Sequence, residues 1–164
     1  MPSGSRCRYD STVELAEIMT TNFAVVAPEA TIADASRRML EIDTGAAVVL
    51  DGEDLAGVIS ERDMLRAIRD GVGSDEVVAD RMTRHVMTAA PSTGLPEAMA
   101  IMVDGHFRHL PIVDSGRVVG MVSMRDLMAW ASLRLRHGSA LDAEDDVDTV
   151  ELIATIHRMR TGAA

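Results

Sequence analysis

The chain has 164 residues, enough for one ordinary domain, and carries a formal net charge of −10 without a single lysine. Because binding to a phosphate backbone relies on clustered cations, this composition excludes nucleic acid as an expected partner. The hydrophobic fraction of 47% supports a packed core, and with only 2% aromatic residues that core must consist of aliphatic side chains and the 12 methionines.

Residues 1–10 are predicted to form a flexible leader rich in Ser, Gly and Arg. The leader lacks the hydrophobic stretch of a secretory signal, and no apolar run in the sequence approaches the roughly 20 residues that span a bilayer. We therefore expect a cytoplasmic protein without a membrane partner. Cys7 is the single cysteine, so an intrachain disulfide is impossible, and an intermolecular disulfide is disfavoured in a reducing compartment.

After the leader, the pattern predicts a short helix over residues 13–19, a strand over 23–26 and, beyond Pro28, an amphipathic helix. Thr31 and Asp34 have the spacing of a capping box at the start of this helix. Its apolar positions follow the period of one buried face: Ile32, Ala35, Ser36, Met39 and Leu40.

Two short apolar runs follow, residues 46–50 and 55–60, with the turn sequence Asp-Gly-Glu-Asp between them. This combination predicts a β-hairpin. The second run leads directly into a predicted helix over residues 61–70. The order of elements is therefore strand, helix, strand, strand, helix.

The same order then recurs at a constant offset in the second half of the chain. Gly120 lies 63 positions after Gly57, and the phrase Gly-x-x-Ser-x-x-Asp begins at both glycines. The second copy predicts a hairpin over residues 110–113 and 118–123 and a helix over 124–135. The buried face of its first helix repeats as well: Leu95, Ala98, Met99, Met102 and Val103.

Two such units pack most simply face to face, which predicts a mixed α/β (α+β) fold of two β-α-β-β-α repeats around a pseudo-twofold axis, with two related clefts. We expect the halves to fold together, because each alone would have a marginal core. We place the repeats at residues 11–71 and 77–135, with a linker at 72–76. An acidic linker at 136–147 and an amphipathic C-terminal helix at 148–160 complete the chain.

A repeated Ser/Asp pair is the feature most suggestive of function. Ser60 and Asp63 recur as Ser123 and Asp126, each pair where a strand passes into a helix. This spacing is that of a capping box, which satisfies helix N–H groups without any ligand. The same geometry suits a nucleoside phosphate, because a helix N-terminus attracts phosphate and a carboxylate accepts hydrogen bonds from ribose hydroxyls. The two roles are compatible.

These residues resemble a known family. Two copies of the unit, each opening with Met-Thr (Met19-Thr20 and Met82-Thr83) and ending in Gly-x-x-Ser-x-x-Asp, are similar to a tandem pair of cystathionine β-synthase (CBS) domains. The resemblance covers about residues 11–133. It implies a stand-alone regulatory module, often dimeric, whose clefts bind adenosine-containing ligands such as AMP, ADP, ATP or S-adenosylmethionine.

The resemblance also implies roles for the repeated pairs. Asp63 and Asp126 would hold a ribose, and Ser60 and Ser123 would lie near the ribose or the phosphate. The glycines that begin each phrase either allow a close backbone approach or relieve strand packing. No cofactor is required for such a module, and the adenosyl compound would be its regulatory ligand.

Further candidates lie on the opening strands and before the second hairpin. By the same resemblance, Val25, Val26 and Thr88 would border the adenine. Arg108 and His109 stand where family members reach a phosphate, whereas the first repeat has no basic residue at that place. Which cleft this pair faces stays open, and a surface ion pair is the alternative role for Arg108. A zinc site is not expected, since the sequence offers no further Cys or His at ligand spacing.

An enzyme and a ligand-free interaction module are the rival interpretations. The sequence contains no nucleophile elbow, no P-loop and no plausible set of metal ligands, so we expect no enzymatic activity. A homodimer with twofold symmetry is expected, because the helices that end the repeats need an apolar partner. The effect of the module would pass through an unknown effector protein, or through its abundance in a stress response.

Overall fold

The computed structural model describes residues 13–138 of the chain. The predicted leader, most of the acidic linker and the C-terminal helix lie outside the described residues. The first repeat contains, in order, α1 (Leu15–Ile18), β1 (Ala24–Val26), α2 (Ile32–Glu41), β2 (Ala46–Asp51), β3 (Asp54–Ser60) and α3 (Glu61–Arg69). The order of elements predicted for this repeat is confirmed.

The second repeat follows a short 3₁₀ helix, Val78–Asp80. It contains α4 (Leu95–Asp104), β4 (His109–Asp114), β5 (Arg117–Ser123) and α5 (Met124–Gly138). The predicted end of α5 near residue 135 is too early, so residues 136–138, which the sequence placed in the acidic linker, belong to the helix. Within residues 13–138, no helix is long and apolar enough to cross a membrane.

The opening strand of the second repeat is shorter than its counterpart. In the first repeat, β1 pairs in parallel with β2, which pairs antiparallel with β3. In the second, β4 and β5 form a two-stranded sheet, and only Ala89 bridges Ile112 in parallel. Pro111 stands where the first repeat has Val48, and a proline has no amide hydrogen to donate to a neighbouring strand. The parallel ladder therefore stops at a single residue.

The two hairpins share their register to the residue. The β2/β3 pairing shifts between Val49 and Leu50, and the β4/β5 pairing shifts between Ile112 and Val113, which is the same place 63 positions later. Such a bulge bends and twists a hairpin locally. The repeats are thus alike in backbone detail as well as in order.

Each repeat completes the core of the other. Residues of the first α-helix, Leu15 and Ile18, pack in one core cluster with Leu110, Ile112 and other side chains of the second repeat. The 3₁₀ helix that opens the second repeat carries its buried Val78 into the core of the first repeat. The halves therefore share their apolar burial, as expected for units too small to fold alone.

The Met-Thr phrases bring about this exchange. Thr20 bridges Met121 of the second hairpin, with backbone hydrogen bonds of 2.9 and 3.0 Å, and Thr83 bridges Val58 of the first, with bonds of 2.8 and 3.0 Å. A Cβ added at Gly57 would lie 2.6 Å from Met82 Sδ. Both roles considered for the repeated glycines are seen, because each glycine accommodates the methionine of the opposite repeat and the backbone carbonyl of the threonine that follows it.

The buried faces of α2 and α4 are narrower than the sequence pattern predicts. Leu40 and Val103, at equivalent positions of the two helices, are 82% and 59% exposed. In each helix the buried positions are separated by three and then by four residues. They are Ile32, Ala35 and Met39 in α2, and Leu95, Ala98 and Met102 in α4. The prediction that Leu40 and Val103 are buried was wrong, because each helix packs on its sheet along a single narrow stripe.

Candidate ligand-binding clefts

Two clefts lie between the repeats, one at the N-terminus of α3 and one at the N-terminus of α5. The first cleft, of about 400 Å³, is lined by the start of α3 and, from the second repeat, by Thr83, residues 85–87 and residues 105–109. The second cleft, of about 350 Å³, is lined by the start of α5 and by residues 43–45 of the first repeat. Both volumes fall within the range of small-molecule sites.

In the first cleft, Asp63 is fixed by contacts on both of its carboxylate oxygens. The backbone N–H and the hydroxyl of Ser60 donate to Asp63 Oδ2 at 2.9 and 2.7 Å. The guanidinium of Arg66 donates to Asp63 Oδ1 at 3.0 Å. Asp63 is only 7% exposed, yet it lines the cleft. Because a carboxylate accepts about four hydrogen bonds, its oxygens keep room for a ligand hydroxyl.

The second cleft contains the same cap with a different neighbour. Ser123 donates to Asp126 Oδ2 through its backbone N–H at 3.0 Å and through its hydroxyl at 2.6 Å. The backbone N–H of Asp126 returns a bond of 3.2 Å to the Ser123 hydroxyl. Ala129 stands where the first repeat has Arg66, so the two caps differ in the side chain one helical turn later. The capping-box interpretation is thus confirmed in both repeats, and the caps line the clefts.

Gly45, Arg108 and His109 form a shared wall that lines both clefts. A Cβ at Gly45 would lie 3.0 Å from Glu61 Oε2 and 3.1 Å from His109 Cε1, so both side chains press against this glycine. Burial lowers the pKa of His109 below its ordinary 6.5, and the Arg108 guanidinium lowers it further. The imidazole is therefore neutral near pH 7.

Equivalent positions of the two clefts differ systematically in charge. His106 of the first cleft corresponds to Asp43 of the second, and both adopt a left-handed backbone, with φ of 55° and 51°. The first cleft is lined by one carboxylate and three guanidiniums: Asp63, Arg62, Arg66 and Arg108. The second is lined by three carboxylates and two guanidiniums: Asp43, Glu61, Asp126, Arg108 and Arg125. The first cleft thus has the more favourable electrostatics for an anion.

The structure brings together six of the nine residues predicted to contact a ligand. Each Ser/Asp pair lines one cleft. Arg108 and His109, whose cleft the sequence left open, line both. Val25, Val26 and Thr88 line neither cleft. Val26 packs in the core of the first repeat, while Val25 and Thr88 are exposed elsewhere.

Val86 and Met87, the two residues before Thr88, line the first cleft. Because Thr83 pairs with Val58, the chain after Thr83 lies beside the first repeat before it reaches Ala89, the residue that pairs with the second hairpin. The second Met-Thr phrase marked this segment in the sequence, but only the structure shows that Thr83 pairs with Val58 of the first repeat. Within residues 13–138, no group of three or more His, Cys, Asp or Glu residues could hold a metal ion, although three histidines line the first cleft.

Comparison with known proteins identifies the repeated unit. The sequence model of the CBS domain matches twice, at residues 15–70 and 76–132. The chain is 39% identical over 116 residues to an uncharacterized 17.7 kDa protein of Acidianus ambivalens, covering 70% of each chain. It is 32% identical over 126 residues to the CBS domain-containing protein YhcV of Bacillus subtilis, covering 76% of this chain and 90% of that one.

Solved structures show the same fold. An uncharacterized conserved protein from Pyrococcus horikoshii superposes with a TM-score of 0.69 at 31% identity, over 74% of this chain and 94% of that one. A CBS domain protein from Pyrobaculum aerophilum, solved with AMP, gives 0.69 at 24% identity over 77% and 99%. The CBS domain pair of protein MJ0100, solved with 5′-methylthioadenosine and S-adenosyl-L-methionine, gives 0.69 at 21% identity over 79% and 99%.

Proposed function

The chain belongs to the CBS domain family, with two copies of the domain, and we propose that it is a regulatory module that binds an adenosine-containing ligand between its repeats. One observation carries the proposal. The Asp63 carboxylate, 7% exposed and held by Ser60, lines a cleft of about 400 Å³ to which both repeats contribute. Solved relatives of the same fold carry AMP or S-adenosyl-L-methionine, which supports this ligand class.

Asp63 is suited to hold the ribose. The buried carboxylate accepts hydrogen bonds from the ribose hydroxyls on the positions that Ser60 and Arg66 leave open. A hydrogen bond to a charged acceptor stabilises a complex by about 1.5–3 kcal/mol. This contact selects a ribose over a deoxyribose and fixes the orientation of the nucleoside in the cleft.

The phosphate and the adenine have complementary surroundings in the first cleft. Arg62 and Arg108 line it beside the N-terminus of α3, the positive end of the helix dipole, which favours an anion. Val86, Met87 and Phe107 offer apolar surface for a flat base. We therefore assign an adenine nucleotide to the first cleft, with AMP as the smallest member of the class.

Calorimetric titration tests the proposal. AMP, ADP, ATP, NAD and S-adenosylmethionine are titrated into the full chain and into the Asp63→Asn and Asp126→Asn variants, with thermal unfolding as the control for folding. We expect saturable AMP binding that Asp63→Asn weakens by at least tenfold and Asp126→Asn leaves within twofold. Absence of heat with every ligand would overturn the proposal and favour the ligand-free interaction module. Chromatography of each ligand after overnight incubation should show it unchanged, as expected for a protein that is not an enzyme.

We further propose that the module acts as a homodimer. The helices expose large apolar side chains at equivalent positions of both repeats, Leu40 with Val103 and Leu65 with Met128, and Ile68 is 72% exposed next to them on α3. A second copy of the chain is the occupant that matches this pseudo-symmetric pattern. Sedimentation equilibrium should give a dimer that Leu65→Glu with Ile68→Glu converts to a monomer. A wild-type monomer at the concentrations of the titration would contradict this part of the proposal.

A further inference from the structure

His109 stands in the wall that the two clefts share. It is the first residue of β4, it follows Arg108 in the chain, and both side chains line both clefts. Its imidazole is partly buried, whereas His85 and His106, the other histidines that line the first cleft, are exposed. The protein environment therefore acts more strongly on the charge of His109 than on that of the other two.

Charged side chains surround His109 from three elements. Two are basic and two are acidic: Arg108 beside it in the chain, Glu61 in the first turn of α3, and Arg125 and Asp126 in the first turn of α5. The remaining charged lining of the two clefts consists of Arg62, Asp63 and Arg66 of α3 and of Asp43. Burial and the two neighbouring guanidiniums lower the pKa of His109 below 6.5, and the two neighbouring carboxylates offset only part of this change.

A phosphate in the first cleft would reverse this balance. Beside Arg108 its negative charge would compensate the guanidinium that opposes protonation of His109, and a nearby negative charge favours the imidazolium directly. Glu61, which lies with His109 against Gly45, favours the imidazolium from the other side of the wall. A nucleoside without phosphate offers no such charge and leaves the balance as it is in the free protein.

We propose that the first cleft takes up a proton at His109 when it binds a phosphorylated nucleoside, so that the contribution of His109 to nucleotide binding grows as the pH falls. The inference rests on the proposed function, because it needs the phosphate of the ligand in the first cleft. Proton and nucleotide then strengthen the binding of each other by the same factor, since coupling between two ligands is reciprocal. The module responds to nucleotide and to acidification together.

The titration of His109 in the full chain tests the inference directly. NMR spectroscopy follows the imidazole Cε1–H signals between about pH 8 and pH 5 in the free protein and in protein saturated with AMP or with adenosine. The His109→Gln variant identifies the signal of His109. We expect AMP to raise the pKa of His109 by about one pH unit, and adenosine to leave it as in the free protein.

Calorimetry measures the linked effect on affinity. AMP is titrated into the wild type, into His109→Gln and into His85→Gln as the matched control, at about pH 7.5 and pH 5.5. The protonation of AMP itself is common to all three proteins and cancels in the ratios of their affinities. Between the two pH values, we expect the affinity of the wild type relative to His109→Gln to rise about three- to tenfold. The ratio of the wild type to His85→Gln should change by less than about twofold.

Either measurement can contradict the inference. A His109 signal that titrates alike with and without AMP would overturn it, and so would a pH-dependent ratio for His85→Gln in place of His109→Gln. If AMP still binds and depends on Asp63 in that case, the proposed function stands. If neither AMP nor any other adenosine compound binds, both proposals fall.

Discussion

The two clefts share the same helix cap and the same contact between a glycine and a methionine, but the side chains that line them differ. The shared features belong to the duplicated fold, whereas the differing side chains set the charge of each cleft. The Ser/Asp cap occurs in both clefts with hydrogen bonds of similar length. The contact between a glycine and the methionine of the opposite repeat also occurs twice. The loop before the hairpin is where they diverge, with three basic side chains among residues 106–109 of the second repeat and Asp-Thr-Gly-Ala at the equivalent positions of the first.

This divergence has a structural consequence, because the loop of each repeat lies against the helix cap of the other. The basic loop of the second repeat lines the cleft that contains Asp63, and the acidic loop of the first repeat lines the cleft that contains Asp126. A change in one loop therefore changes the charge around the opposite cap, while the residues that form the capping hydrogen bonds stay the same.

Loss of the proposed ribose contact is expected to weaken nucleotide binding more than any other change. Replacing AMP with 2′-deoxy-AMP removes one hydrogen bond to the buried Asp63, and we expect binding to weaken by about ten- to a hundredfold. In Asp63→Asn the charged acceptor is gone, so the two nucleotides should bind with affinities within a fewfold of each other. Competition with a fluorescent AMP analogue measures both ratios. Equal binding of both nucleotides to the wild type would show that Asp63 does not hold the ribose.

The shared framework is tested by a matched pair of glycine substitutions. A Cβ at Gly57 would lie 2.6 Å from Met82 Sδ and 2.8 Å from the carbonyl oxygen of Thr83, which is backbone and cannot turn away. We expect Gly57→Ala to lower the free energy of unfolding by about 1–3 kcal/mol, measured by denaturant titration.

Gly120→Ala is the internal control for that substitution. The equivalent contact with Met19 Sδ is also 2.6 Å, but the backbone oxygen of Thr20 is farther away, at 3.1 Å. We therefore expect a loss of the same kind and of smaller size. A Gly57→Ala protein as stable as the wild type would contradict the packing role of these glycines.

The phosphate contact of the shared wall gives an intermediate effect. Arg108→Gln should weaken AMP by roughly fivefold and leave unphosphorylated adenosine unchanged, because an exposed charge pair contributes up to about 1 kcal/mol. Arg125→Gln, which removes a guanidinium of the second cleft alone, is the matched control and should leave AMP binding unaltered. Calorimetry at two salt concentrations distinguishes the two variants. Similar losses from both would mean that the charge of the whole protein, not the first cleft, attracts the phosphate.

The smallest expected effect is on the pH dependence of stability. Burial and the nearby Arg108 and Arg125 lower the pKa of His109 below 6.5, and these effects exceed the opposing effects of Glu61 and Asp126. The unfolded chain therefore takes up a proton near pH 6.5 that the folded protein accepts only at lower pH, so stability falls as the pH drops below about 6.5. His109→Gln should show a smaller decrease between pH 6.5 and pH 5 in denaturant titrations. An identical decrease in both proteins would contradict a lowered pKa at this residue.

The repeat, its order of elements and its helix caps could be predicted from the sequence because they depend on local spacing. The constant offset gave both hairpins, and the position of Ser60 before Asp63 gave a cap that depends on residues three apart. The ligand contacts were harder to predict. The reach of Arg108 into both clefts and the exchange of the Met-Thr phrases depend on how the repeats face each other, which no local pattern encodes.

The errors have equally definite causes. Leu40 and Val103 satisfy the helical period but lie at the margin of a stripe that is narrower than the pattern. Thr88, which the resemblance placed on the opening strand of the second repeat, lies outside both clefts. Pro111 lacks the amide that would extend the parallel ladder, and the residues just before Thr88, Val86 and Met87, line the first cleft.

A crystal structure of the protein grown with AMP tests the central claim most directly. The account predicts AMP in the first cleft, with its ribose on Asp63 and its phosphate beside Arg108. AMP bound in the second cleft alone, with its ribose on Asp126, would contradict it.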